Sequence, residues 1–451
     1  MATSLSATPD QMARLLKDYP DAFGSSLGKR ARPWLWALGI LAYLAFSVWF
    51  FNMVSLLQPN NWNRAGLEVL QWVSYETRPA IAITPEKLEV SFNQYDPLGH
   101  NPKPDWIIQD GPGKLNVNWG SAATKLSMTG QDATIVYGAD TLHFRNGPKG
   151  WVLDGAVPDY VHLQEGGARV FFGVAGNVEL DIKDVTIRRR FPGWANFWFD
   201  PDSKLWGRSL VDLAGLIVSG ERVDPAQSNM SLAFDNFWNN SNWQHGDVLT
   251  KLLQTIVMAF VGTLFGAIFA FPLAFLAAAN ITRVTVLNQL TKRYFEFLRC
   301  VGLLVWALFF TRGFGPGPLS GISAVFVSEV GLLGKTYTEA LENIDNKQRE
   351  GVTSLGASPV QVQRYGVLPQ VLPLFASQAL YQWESNTRSA TVIGAMGAGG
   401  IGLKLLESMR TNSNWANVCY MVLLILVVVY VIDGISTALR RRLIKGSASG
   451  S

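Results

Sequence analysis

The stretch EGVTSLGASPVQVQRYGVLP, Glu350 to Pro369, is polar, yet it lies between two weakly apolar segments of a chain that also carries three long apolar runs. The pattern from Lys335 to Leu355 is helical and stops at Gly356, a residue that takes a positive φ without steric cost and so ends helices. Ser358 restarts a helix as its N-cap, with Pro359 in the first helical position and Gln361 three residues after the cap completing a capping box. Pro369 stands at the entrance of the next membrane segment, where its missing N–H costs least. These signals predict two helices joined at a fixed angle and held at the membrane surface, projecting into the cytoplasm. Such a placement points to transport rather than metabolism.

The composition agrees. Hydrophobic residues make up 48% of the chain and charged residues 16%, below the roughly 25% charge of soluble domains. Pro33 to about Gln58 is a continuous apolar run, enough for a helix to cross the hydrocarbon core, and too long and too far from the start for a secretory signal peptide. Leu252 to Ala279 and Cys419 to Leu439 are the other clear spans, the former with Gly262, Gly266 and Pro272 for close packing and a kink. Phe295 to Phe310, Leu319 to Gly334 and Val367 to Met396 are weaker, because they contain Glu296, Arg299, Glu329, Glu384 and Arg388. An ionisable group inside a membrane faces a bundle interior or a polar path, so these three count as spans as well.

Basic residues set the orientation. Arg14, Lys17, Lys29, Arg30 and Arg32 precede the first span, and Arg440, Arg441, Arg442 and Lys445 follow the last, which puts both ends in the cytoplasm. An even number of crossings follows, and six spans also bring the basic connections 283–299 and 335–366 inside. Residues 59–250 are then outside. Short strand-like pieces, Thr134 to Val136, Thr141 to Phe144, Gly150 to Leu153, Arg169 to Phe172 and Val178 to Thr186, alternate there with turn residues, and Val178 to Lys183 reads as one strand with one dry face. From Phe191 onward the pattern is aromatic-rich and helical, suited to an element lying on the bilayer surface.

Several signals are weaker than they look. His100, His143, His162 and His245 lack close metal-ligand spacing and read as ordinary surface histidines, with no metal site expected. Cys300 and Cys419 fall in predicted spans and cannot staple the outer domain. The GxGxxG match at 397–402 follows a membrane helix rather than a buried strand. Gly334-Lys335-Thr336 imitates the end of a phosphate loop whose opening position is Glu329. The chain is therefore expected to hydrolyse no ATP itself.

Glu350, Gly356, Leu368 and Pro369 stand at the spacing of the EAA loop of ABC-transporter permeases, and the chain resembles the phosphonate permease family of binding-protein-dependent importers. Further stretches look like that family in order and spacing: 306–310, Arg312 with 314–318, 331–335, 384–394 and 397–402. The likeness covers residues 252–445. Gly351 and Val352 depart from the two alanines of the motif, and the outer domain is an insertion that typical members lack.

The resemblance implies an all-α polytopic membrane protein with six transmembrane helices of ABC importer permease type, into which a β-rich extracytoplasmic domain is inserted. Its parts would be a cytoplasmic segment 1–32, a first helix 33–58, a periplasmic insertion with an interfacial segment 59–250, and a permease core 252–445 with a coupling loop at 335–369. It further implies a second copy of the chain, two ATPase subunits that bind ATP and Mg, and a periplasmic phosphonate-binding protein in the bacterial inner membrane. No cofactor in this chain and no nucleic-acid partner are implied. Glu350, Gly351, Gly356, Ala357, Ser358, Pro359, Gln361, Leu368 and Pro369 would couple to the ATPase.

Glu384 and Arg388 are four residues apart, so opposite charges share one helical face. They read either as a packing and gating lock or as a site where Arg388 meets an anion in transit beside Ser385, Asn386 and Ser389. Gly399 and Gly400, in the run GAMGAGGIG at 394–402, allow close backbone approach and a bend between membrane segments. Two other functions fit parts of the sequence: a permease for methionine or another small solute, and a membrane-anchored sensor or scaffold.

Overall fold

The computed structural model describes residues 13–14, 17–18, 27–57, 59–84, 87–93, 96–99, 102–120, 123–344, 346–411 and 415–448. His100 and the rest of the segment up to residue 26 lie outside the described residues. The chain divides into two units, 1–69 and 70–451. The first contains helix α1 (Leu27–Phe50), apolar on all sides and long enough from Arg32 to cross a bilayer. Helix α2 (Pro59–Trp72) follows.

The second unit opens with two antiparallel sheets. Strands β1 (Ser74–Thr77), β2 (Ala80–Ile83) and β3 (Leu88–Ser91) join β10 to β13 (Val161–Gln164, Gly167–Phe171, Gly176–Leu180 and Asp184–Pro192) in one sheet. Strands β4 to β9 (Ile107–Gln109, Lys114–Asn118, Thr124–Thr129, Asp132–Tyr137, Asp140–Gly147 and Gly150–Asp154) form a simple meander in the other. Alternation drives both: in β6 every second residue is buried, and Leu126, Met128, Ile135 and Phe144 meet Ile81, Val170, Leu180 and Ile187 in one shared core. Arg189 ties the sheets together, donating to the Asn118 carbonyl at 3.0 Å and lying 4.6 Å from the Phe191 ring and 4.9 Å from Trp106. Burial pulls its guanidinium below the usual arginine range, opposed by the charge of the nearby Tyr75 phenol.

The domain begins and ends at one place. Ser74 pairs with Pro192 and Tyr75 with Phe191 in the β1–β13 ladder, the two rings stacked 5.3 Å apart, and Gly193 N–H donates to Val73 O at 2.8 Å. Two local readings need correction. Val178 to Lys183 is not one strand: β12 stops at Leu180, where Asp181 N–H closes a turn onto Asp184 O at 2.9 Å and Ile182 is exposed. The stretch after Phe191 is not helical from its start. It runs through turns before α3 (Leu210–Ser219), and a second helix, α4 (Asn229–Trp238), follows.

The helical core comprises α5 (His245–Ala277), α6 (Thr285–Cys300), α7 (Leu303–Phe314), α8 (Pro318–Glu342), α9 (Asn346–Ser354), α10 (Pro359–Gln361), α11 (Leu368–Ile393), α12 (Gly400–Thr411) and α13 (Trp415–Ala448). Among the described residues, α1, α5 and α13 pass as single spans by length and apolar character; counting the bent pairs α6–α7 and α10–α12 as one span each gives five. Helix α8 has 25 residues but carries Glu329, Lys335, Glu339 and Glu342. The expected single helix Phe295 to Phe310 is broken: the chain turns by 83° at Gly302, whose φ is +75°, and the Trp306 indole donates to the Leu298 carbonyl across the bend at 3.1 Å. The helix expected from Lys335 to Leu355 is also interrupted. It ends at Glu342, whose carboxylate turns aside to accept from Ala279 N–H and Lys292, each at 2.8 Å.

His245 is not a surface histidine. It is fully buried at the start of α5, where Nε2–H donates to the Phe197 carbonyl at 2.8 Å, which leaves Nδ1 to accept from the Tyr420 hydroxyl at 2.9 Å. Phe237 stacks on the imidazole at 3.9 Å, and Trp194 and Trp243 complete an aromatic collar joining the segment after β13 to α5 and α13.

Glycine fixes the central helix pair. A Cβ on Gly262 would lie 2.6 Å from Val325 Cβ and one on Gly266 2.5 Å from Glu329 Cβ, so α5 and α8 touch backbone to side chain. Gly266→Ala is expected to cost about 1–3 kcal/mol by overpacking and to lower the unfolding temperature in detergent. Gly434→Ala in α13, where an added Cβ meets nothing within 4 Å, should leave it unchanged or slightly raised.

Candidate functional site

The loop that joins α8 to α11 is built from short helices whose ends are satisfied locally. Thr353 and Ser354 hydroxyls donate back to the Arg349 and Glu350 carbonyls at 2.7 Å, and Gly356, with φ +80°, donates to Thr353 O at 2.9 Å as the chain reverses. Ser358 N–H donates to Gln361 Oε1 at 2.8 Å in a capping box, with Pro359 at the first helical position. A wider π-type turn, Val362–Val367, then delivers Leu368 and Pro369 into α11.

Glu350, Gly351, Gly356, Ser358, Pro359, Gln361 and Pro369 are exposed, whereas Ala357 and Leu368 are half-buried. The tip is apolar as well as exposed: Leu355 is 87% and Val360 75% accessible, with Tyr365 beside them. Val362 and Val367 point the other way and are buried. A helix pair with one face packed and one apolar face uncovered has the form of a docking element.

The loop is tied to the helical core through a residue that sequence reading did not single out. Arg349 Nη2 donates to the Asn280 carbonyl just past α5 at 2.9 Å, and Asn280 Nδ2 in turn donates to Leu341 O at 2.8 Å near the end of α8. With the Lys292–Glu342 pair at 2.8 Å, the C-terminal ends of α5 and α8 and the middle of α6 form one polar seam. A lone arginine before the motif glutamate carries no pattern, so only folding brings this contact to light.

Within the bundle, Glu384 is buried and paired with Arg388 at 3.1 Å, one helical turn on. A second partner, Arg440 of α13, lies 3.5 Å from the other carboxylate oxygen and is itself held by Thr437. The side chain of Arg388 is 56% exposed and that of Arg440 25%. Ser385 and Ser389 are half-buried on the same helix. Asn386 belongs to a different group: its amide donates to Thr263 Oγ1 of α5 at 2.9 Å and to Glu329 Oε1 of α8 at 2.8 Å, locking three helices at one buried point. Glu329 stood out in the sequence as an acid in an apolar run, but Thr263 and its link to Asn386 did not.

Gly397, Gly399 and Gly400 have φ of +97°, +84° and +71° and turn the chain by 59° between α11 and α12. There the Ile401 N–H donates to Thr255 Oγ1 of α5 at 2.9 Å, and Gly317 N–H donates to Gly397 O at 3.1 Å. Gly399 and Gly400 are buried in this crossing.

Residues 270–445 match the family of binding-protein-dependent transport system inner membrane components. The phosphite transport system permease protein of Stutzerimonas stutzeri is 37% identical over 193 residues, 43% of this chain and 70% of that protein. The putative cryptic phosphonate transport system permease protein of Escherichia coli K12 is 44% identical, over 27% of this chain and 98% of that protein. The phosphate-import permease protein of Mycolicibacterium smegmatis is 33% identical, over 44% of this chain and 37% of that protein. This chain belongs to the binding-protein-dependent transport system inner membrane component family, the membrane permeases of ABC importers.

The two partners of Glu384 set up a test. Loss of the exposed Arg388 side chain alone leaves Arg440 in place beside the buried Glu384, so Arg388→Ala should cost less than about 1 kcal/mol. Arg388→Ala with Arg440→Ala strands a buried carboxylate and should cost about 3–5 kcal/mol, most of it restored by adding Glu384→Gln. Thermal unfolding of the purified variants measures this, and strictly additive losses would contradict it.

Proposed function

We propose that this chain is the permease subunit of an ATP-driven importer that moves phosphonate, phosphite or a related phosphorus oxyanion from a periplasmic binding protein into the cytoplasm. The observation that carries the proposal is the exposed, internally capped helix pair 346–367, apolar at its tip and joined by Arg349 to the ends of the central helices. An ATPase subunit gripping that tip would move those helices when its nucleotide site closes. ATP and Mg belong to that partner, and two copies of this chain with two ATPase subunits make the working unit. Glu350 anchors the first short helix, Gly356 its reversal, and Ser358, Pro359 and Gln361 the second.

Six crossings with both termini in the cytoplasm and residues 59–250 in the periplasm fit the basic clusters. They also fit the contacts: the start of α5 meets α13 near its start through His245 and Tyr420, while the end of α5 meets the end of α8 through Asn280 and Leu341. Those are the ends that this topology assigns to common sides. A phosphorus oxyanion suits the names of the relatives, and the accessible guanidinium of Arg388 can pair with such an anion. Arg388 meets the anion in transit while Glu384 and Arg440 keep α11 locked to α13.

Glu350→Lys and Gly356→Pro should weaken co-purification of the ATPase subunit at least tenfold, a loss of about 1.4 kcal/mol or more in docking, while the permease still reaches the membrane. Normal ATPase capture and uptake in both variants would rule out this interface. In the same cells a cysteine at Asn146 should react with a membrane-impermeant thiol reagent before lysis. Protection until lysis would rule out the periplasmic assignment.

A further inference from the structure

We infer that α3 and α4 form a membrane-docking element that lays its apolar side chains into the bilayer surface at which α5 begins. Helix α3, LVDLAGLIVS, is apolar on nearly every side and has one charged residue, Asp212, next to its N-cap Ser209. A helix of that kind is normally enclosed by apolar surroundings. Here Leu213 and Leu216 pack inward against Leu205 and Leu232, while Val211 and Val218 are 80% and 84% accessible. Helix α4 carries the exposed stripe Met230, Phe234 and Trp238 at four-residue intervals, the last two rings stacked 5.7 Å apart, with Ser231 and Asp235 beside it.

Three observations select lipid over a protein partner as the occupant. First, α4 is fixed at the end of an apolar span: Trp238 packs on the first turn of α5, where a Cβ on Gly246 would meet its indole at 2.5 Å, and Phe237 stacks on His245. The exposed stripe therefore leads to the exposed Leu253, Val257 and Phe260 of α5, the surface that a bilayer must cover. Second, the exposed Val211 and Val218 lie seven residues apart on one face of α3, opposite the inward-packed Leu213 and Leu216, so the uncovered apolar side is a continuous strip of the kind an interfacial helix lays into a bilayer. Third, exposed Arg208 and Arg222 flank α3 on either side, and indoles stand beside the helices at Trp198, Trp206 and Trp238, the composition of an interfacial element facing anionic headgroups. Because the β domain leaves through the Gly193 junction directly before this segment, docking would fix the height of that domain above the membrane.

The test uses the full chain with Cys300→Ser and Cys419→Ala in lipid nanodiscs containing phosphatidylcholine and phosphatidylglycerol. Single cysteines at Val211, Val218 and Met230, with Val152 of the outer sheet as the exposed control, carry a polarity-sensitive fluorophore. The three helix positions should emit at shorter wavelength than Val152 and lose most of their emission when nitroxide-labelled lipid is included, while Val152 loses none. Water-like emission at all three helix positions would overturn the inference. So would shifted emission without lipid quenching, accompanied by disulfide cross-links between copies, since that pattern assigns the surface to a second chain. Neither result bears on whether the chain imports an oxyanion, which the uptake and ATPase-capture measurements decide separately.

Discussion

The close approach of α5 to α8 is the contact on which the rest of the helical core depends. Gly262 and Gly266 remove the side chains that would hold the helices apart, and Asn386 then bridges Thr263 and Glu329 across the gap. Lipid offers no hydrophobic drive for helix association, so small residues and interior hydrogen bonds carry that role. Each of these helices continues to a working end. Helix α5 starts at the aromatic collar and ends at the Asn280 turn, and α8 starts beside the glycine bend and ends at Glu342. In the coupling proposed above, a displacement of the Arg349 tether would act on the same helix pair that holds the collar and the bend.

The β domain is built to be added without disturbing that frame. Its first and last strands pair, so the chain enters and leaves side by side at Val73 and Gly193, and its core is shared by its own two sheets. An inserted domain with adjacent ends asks little of its host. The aromatic collar at Trp194, Phe197, Trp243 and His245 then couples its exit to α5 and α13 through ring contacts and buried hydrogen bonds.

What the sequence made legible follows the range of the interactions involved. Long apolar runs identify α1, α5 and α13 because lipid solvation depends on composition over a whole span. The turn at Gly356, the Ser358 capping box and the Glu384–Arg388 pair depend on residues within four positions of one another, so spacing alone conveys them. The break at Gly302 was not legible, because it sits in an apolar run and is satisfied by Trp306 reaching back to Leu298. Arg440, Arg349 and Thr263 acquire their roles from Glu384, Asn280 and Asn386, far along the chain and beyond any local pattern. His245 looked ordinary for the same reason, since Tyr420 lies 175 residues on.

Transport itself gives the most direct test. Proteoliposomes would hold this chain with its cognate ATPase subunit, ATP inside and the cognate binding protein outside, and labelled phosphite, phosphonate and methionine would be offered in turn. The expected result is uptake of a phosphorus oxyanion that requires both ATP and the binding protein, with no uptake of methionine. Methionine accumulation, or oxyanion entry that persists without ATP, would contradict it.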